Sequence, residues 1–159
     1  MSPYGTFGAL GMAFGAILSM AVMAHSAPSL CLSSYPDNQP VNAYPLDQNG
    51  AFALGFIHSV SGTPVVDTYQ IDAGEIVQTS EIFQAHGAGL PSLGNEMNAT
   101  GWRHENGKFI LDLERPIGEM IVRVQPKYEN TLHIADQSIA LASLGHSVLR
   151  IAACDPSSE

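Results

Sequence analysis

Residues 51–71 read AFALGFIHSVSGTPVVDTYQI, and the alternation in this stretch decides the fold. Phe52, Leu54, Phe56, His58 and Val60 stand two apart, the period of a strand with one buried face. Turn residues Ser61-Gly62-Thr63-Pro64 interrupt the run, and alternation then resumes from Val65 to Ile71. Pro64 cannot donate a backbone hydrogen bond, so the loop is expected to span four residues. A loop centred on Gly62-Thr63 predicts Val60 opposite Val65, His58 opposite Asp67, Phe56 opposite Tyr69 and Leu54 opposite Ile71. A His and an Asp are therefore expected to face each other in an apolar ladder. A carboxylate on a core face must be paired or neutralised. The pair is either a satisfied polar contact that fixes register or the polar floor of a ligand pocket.

The same period runs outward to Ala153, with strands expected at 30–34, 52–60, 65–71, 76–83, 100–105, 108–113, 119–125, 132–135, 138–142 and 147–153. Residues 137–144 also suit a short helix, and the Pro-rich 35–45 stretch reads as a linker. Asn106-Gly107 is a type I′ hairpin signal that predicts Trp102 opposite Leu111 and His104 opposite Phe109. The expectation is an all-β fold: an antiparallel β-sandwich or barrel of about 8–10 strands, preceded by an N-terminal apolar targeting segment.

Composition supports this. The chain has 159 residues, 45% of them hydrophobic and only 13% charged, so one ordered domain is expected. Fifteen Asp and Glu against six Lys and Arg give a net charge of -9, which argues against a nucleic-acid partner. Residues 8–24, GALGMAFGAILSMAVMA, are uncharged and apolar. The run falls between a signal-peptide core and a spanning helix in length, so residues 1–26 read as signal peptide or membrane anchor. Residues 27–159 read as a single β domain. Membrane contact is expected only through an uncleaved N-terminal segment. Leu30 is too large to precede a lipidated Cys31. Cys31 and Cys154 lie in the first and just after the last expected strand, the right places for a disulfide in an oxidising compartment, though two separate thiols remain the alternative.

Catalytic signatures are absent. Ser59 follows His58 directly, so the two point to opposite faces of a strand, and no GxSxG elbow occurs. The histidines show no HxH or HxxxH spacing, so neither metal nor cofactor is expected. In His86-Gly87-Ala88-Gly89-Leu90-Pro91, Gly87 and Gly89 permit positive φ, and exposed N–H groups there can form a nest for a carboxylate. The ligand-binding candidates are thus His58, Asp67, His86, Gly87 and Gly89.

The order Phe56-Ile57-His58-Ser59-Val60, then Pro64-Val65-Val66-Asp67-Thr68-Tyr69, then His86-Gly87-Ala88-Gly89-Leu90-Pro91 resembles the uncharacterised family catalogued as domain of unknown function 1850. The resemblance covers residues 29–153, although members more often carry Glu where this chain has Asp67. Members are often encoded beside TAXI-type TRAP transporters. The resemblance implies an exported or anchored β protein, located in the periplasm or at the cell surface, with an accessory role in solute uptake. Its expected partner is a transporter subunit or a small carboxylate solute. The expected function is a non-catalytic binding or accessory domain; the alternative is a metal-dependent or His/Asp-based enzyme using His58, Asp67 and His86.

Overall fold

Alternation becomes strand almost throughout the computed structural model, which describes residues 1, 27–85, 90–91 and 98–154. Its strands are β1 Ser29–Ser34, β2 Pro40–Pro45, β3 Ala51–Ile57, β4 Pro64–Asp72, β5 Glu75–Phe83 and β6 Ala99–Glu105. There follow β7 Lys108–Gly118, β8 Met120–Arg123, β9 Thr131–Ile134, β10 Gln137–Ala140 and β11 Val148–Ala153. Two 3-10 turns, Pro126–Tyr128 and Leu141–Leu144, complete the regular structure of the described residues. Residues 137–144 thus hold both a strand and a helical turn.

The strands form two antiparallel sheets, one of four in the order β2-β1-β11-β8 and one of seven in the order β10-β9-β3-β4-β5-β7-β6. Their apolar faces meet as a sandwich. Leu30 and Leu32 of β1, Leu149 and Ile151 of β11, and Met120 and Val122 of β8 pack against Phe52, Leu54, Tyr69, Ile76, Leu132 and Ile134. Alternation puts each of these on the inward side of its strand. β7 and β8 are nearly continuous: Gly118, at φ +68°, ends β7 in the large sheet, and only Glu119 separates it from the start of β8 in the small one. That left-handed backbone suits glycine.

Two expectations need correction. The stretch expected to be a linker contains β2, which pairs with β1 at the sheet edge. Its prolines and exposed side chains masked it, yet an edge strand tolerates both because one side of its backbone has no ladder to complete. The β3–β4 hairpin also closes two residues earlier than expected. His58 N–H donates to the Thr63 carbonyl at 2.9 Å, Ile57 faces Pro64, Phe56 faces Val65 and Leu54 faces Asp67.

The observed register has a local cause. Antiparallel pairs alternate between bonded and unbonded, so the bonded His58–Thr63 pair makes Ile57–Pro64 an unbonded one, where the missing Pro N–H costs nothing. Gly62, at φ +66°, takes the left-handed position that the loop requires. The Asn106-Gly107 turn forms as expected, with φ of 52° and 74°. It sets Trp102 opposite Leu111 and His104 opposite Phe109. Cys31 and Cys154 form a disulfide across a sequence separation of 123.

Candidate functional site

His58 and Asp67, expected as a facing pair, are not brought together. His58 lies past the end of β3, where its ring Nδ1 accepts from the N–H of Ser61 at 3.2 Å and of Val60 at 3.4 Å. The Ser61 hydroxyl adds a third contact at 3.2 Å. Backbone N–H groups can only donate, so Nδ1 carries no proton here. The imidazole is a loop clasp, filling the role that Asn and Asp side chains often take in turns.

Asp67 stays on the core face of β4, between Leu54 of β3 and Glu81 of β5. The Tyr69 hydroxyl donates to Asp67 Oδ2 at 3.3 Å. The Tyr69 ring stacks on Phe52 with centroids 5.1 Å apart, which holds the hydroxyl in place. Gln78 faces Tyr69 from β5, and Arg115 faces Gln78 from β7. Arg115 Nη1 donates to Gln78 Oε1 at 3.1 Å. A polar layer of Asp67, Tyr69, Gln78 and Arg115, with Glu81 opposite Asp67, therefore crosses three strands of this face. Gln78 is itself buried.

A bulge builds this layer. Thr68 faces Ser80 while Tyr69 faces Gln78, so Thr79 is an extra residue in β5. Thr79 and Ser80 both bring hydroxyls to Thr68, at 2.8 and 2.7 Å. Strict alternation without the bulge would put Gln78 and Ser80 on the same face.

Burial sets the electrostatics. Asp67 Oδ1 is buried and meets no hydrogen-bond donor. Loss of hydration pushes its carboxyl up to about 6, while the polar side chains of Tyr69 and Gln78 and the Arg115 charge pull the other way. The Tyr69 hydroxyl is pushed above its ordinary value by burial first, then by the Asp67 charge and the hydrogen bond to it. When protonated, Asp67 presents a donor at Oδ1; when ionised, it presents an unsatisfied acceptor.

Beyond this layer the same face carries an aromatic row. Phe83 packs on Trp102 at 5.9 Å and on Phe109 at 5.5 Å, and His104 stacks on Phe109 at 4.6 Å. Phe83 and Leu111 are fully buried, whereas Trp102 and Phe109 are half-buried and His104 is exposed. His86, Gly87 and Gly89 lie outside the described residues.

Sequence reasoning placed Asp67 and Tyr69 on one face but missed Gln78 and Arg115. The bulge at Thr79 leaves no mark in composition, and Arg115 sits beside Pro116, between the strands expected at 108–113 and 119–125.

The family model described as Domain of unknown function (DUF1850) matches residues 52–141. β1, β2 and β11, and with them both cysteines, lie outside that match. No curated protein and no solved structure matches the chain.

Proposed function

From the premise that the chain belongs to this family of unknown function, we propose that it is an extracytoplasmic, non-catalytic accessory domain serving a solute uptake system. The observation that carries the reading is the Cys31–Cys154 disulfide, which joins strand β1 to the residue after β11. Such bonds form and persist in oxidising compartments. Closing so long a loop contributes about 4–5 kcal/mol on the chain-entropy account.

The site chemistry fits binding better than turnover. His58 is committed to its own loop and cannot serve Asp67 as base or acid partner. Around Asp67 lie a phenol, an amide and a guanidinium that can hold a partner, and Glu81 faces it from β5. Between the two partners considered, a protein subunit fits better than a small carboxylate solute. Among the described residues, open grooves lie over Tyr35, Ile121, Arg123 and Val148 and over Leu32, Pro40 and Val41. Open grooves suit a macromolecular surface, whereas small solutes favour enclosed clefts.

The test is acid-quench thiol trapping of the tagged full chain in cells, followed by fractionation. The expected result is an oxidised cysteine pair in the extracytoplasmic fraction. Two labelled thiols in a cytosolic chain would overturn the reading. Metal analysis and a thermal-shift screen against small organic acids complete the test: stoichiometric metal would restore the enzymatic alternative, and a shift with a carboxylate would favour the solute.

A further inference from the structure

The small sheet ends in β8, which pairs with β11 on one side and with no described strand on the other. Val124 N–H donates to the Ser147 carbonyl at 2.8 Å, which sets the phase of the β8–β11 ladder. Bonded and unbonded pairs alternate, so Val122 and Met120 bond to β11 while the N–H and C=O groups of Ile121 and Arg123 point away from it.

Two of the other three sheet edges are guarded: β2 is bracketed by Pro40 and Pro45, and β6 closes in the polar run Arg103-His104-Glu105. The remaining edge, β10, reads Gln-Ser-Ile-Ala and exposes no large apolar side chain. β8 reads Met-Ile-Val-Arg and leaves Ile121 44% exposed. Beside it, Tyr35 is 49% exposed and lines the same groove with Val148 and Arg123.

Charge narrows the partner. The chain holds six Lys and Arg against a net charge of -9. Arg103 is held by Asp112 and Glu105, Arg150 by Glu119, Arg115 bonds to Gln78, and Lys127 lies over the Tyr128 ring. Lys108 faces Glu105 across its hairpin. Arg123 makes no ion pair or side-chain hydrogen bond among the described residues, and it sits in the groove beside the open backbone.

We infer that the β8 edge docks an extended segment of a partner protein as a fifth strand, with an acidic side chain opposite Arg123 and an aliphatic one opposite Ile121. The inference deepens the accessory-domain reading by naming how the partner is held. Main-chain bonds to Ile121 and Arg123 would supply affinity, and the two side-chain contacts would supply selectivity. On the added strand, the alternate residues would lie along Met120 and Val122 at the rim of the core.

The test uses the oxidised full chain and a capped heptapeptide, Thr-Val-Glu-Thr-Val-Thr-Glu, followed by calorimetry and amide exchange. Saturable binding is expected, with slowed exchange at Ile121 and Arg123. Replacing both Glu by Lys in the peptide, or Arg123→Glu in the protein, should each weaken binding about tenfold, with the thermal midpoint of the exposed-site variant unchanged. N-methylation of the peptide amides that face the edge should abolish binding without touching the fold. No saturable binding, equal affinity for the Lys peptide, or unprotected Ile121 and Arg123 amides would overturn the inference. The peptide test needs no cellular compartment, so its failure stays separate from a failure of the localisation test.

Discussion

Asp67→Asn should change how stability depends on pH. An acid whose folded value is raised destabilises the native state once it ionises: the cost is absent below the unfolded value and complete above the folded one. For Asp67 those values are 3.8 and about 6. The difference of about two pH units corresponds to about 3 kcal/mol at 1.36 kcal/mol per unit. Between pH 4 and pH 6 the native state therefore loses about 3 kcal/mol through this one carboxyl. Asn keeps the shape and an acceptor for the Tyr69 hydroxyl but cannot ionise. Its amide would take the place of Oδ1, and an unpaired N–H there would add a pH-independent cost of about 1–3 kcal/mol. The assay is urea unfolding of both proteins in half-unit steps from pH 3.5 to pH 7.5. Stability of the Asn variant minus that of the parent should rise by about 3 kcal/mol across the window, and other carboxylates cancel in the difference. Parallel curves would refute the reasoning, as would a carboxyl carbon resonance of Asp67 titrating near 4.

Three further outcomes are expected. His58→Ala should cost about 1–2 kcal/mol through the lost loop contacts, and a double-mutant cycle with Asp67→Asn should be additive to within about 0.5 kcal/mol, because the two residues share no partner; a larger coupling would restore the facing pair. Gly107→Ala should cost about 1 kcal/mol in urea unfolding, since φ of +74° penalises any side chain while open space excludes a clash, and an unchanged midpoint would contradict the turn geometry. Cys31→Ser with Cys154→Ser should lower stability by up to about 4–5 kcal/mol, read as a fall in the urea midpoint with unchanged far-UV dichroism; a stability equal to the parent's would show that the bridge constrains little.

How far the fold could be read depended on whether a local signal had one solution. Asn106-Gly107 did: both residues tolerate positive φ, and the pairing of Trp102 with Leu111 follows at once. Ser61-Gly62-Thr63-Pro64 did not. Two loop positions two residues apart keep the same residues on the same face, so alternation could not separate them. The choice fell to the His58 ring and to an unbonded slot for Pro64, both features of the folded hairpin. The β2 edge escaped because Val41 and Tyr44, its two half-buried apolar residues, stand three apart across an irregularity in the β1–β2 register, which erases the period of two. The polar layer was legible only at Asp67 and Tyr69, since Gln78 and Arg115 reach it through the bulge at Thr79. The loop holding His86, Gly87 and Gly89 lies outside the described residues.

The pairing of β1 with β11 also fixes an order of events during synthesis. Among the described strands β1 is made first, and its partner β11 follows all the others of both sheets. β8 is held to the small sheet by β11 as well. A chain emerging from its N-terminus can lay down the hairpins of the large sheet as each turn appears, because those contacts are local. It cannot place the covering layer until β11 arrives. Throughout that interval Phe52, Leu54 and Leu132 line a naked apolar floor, a surface prone to self-association. A nascent chain of this design closes its sandwich only when β11 pairs with β1 and β8.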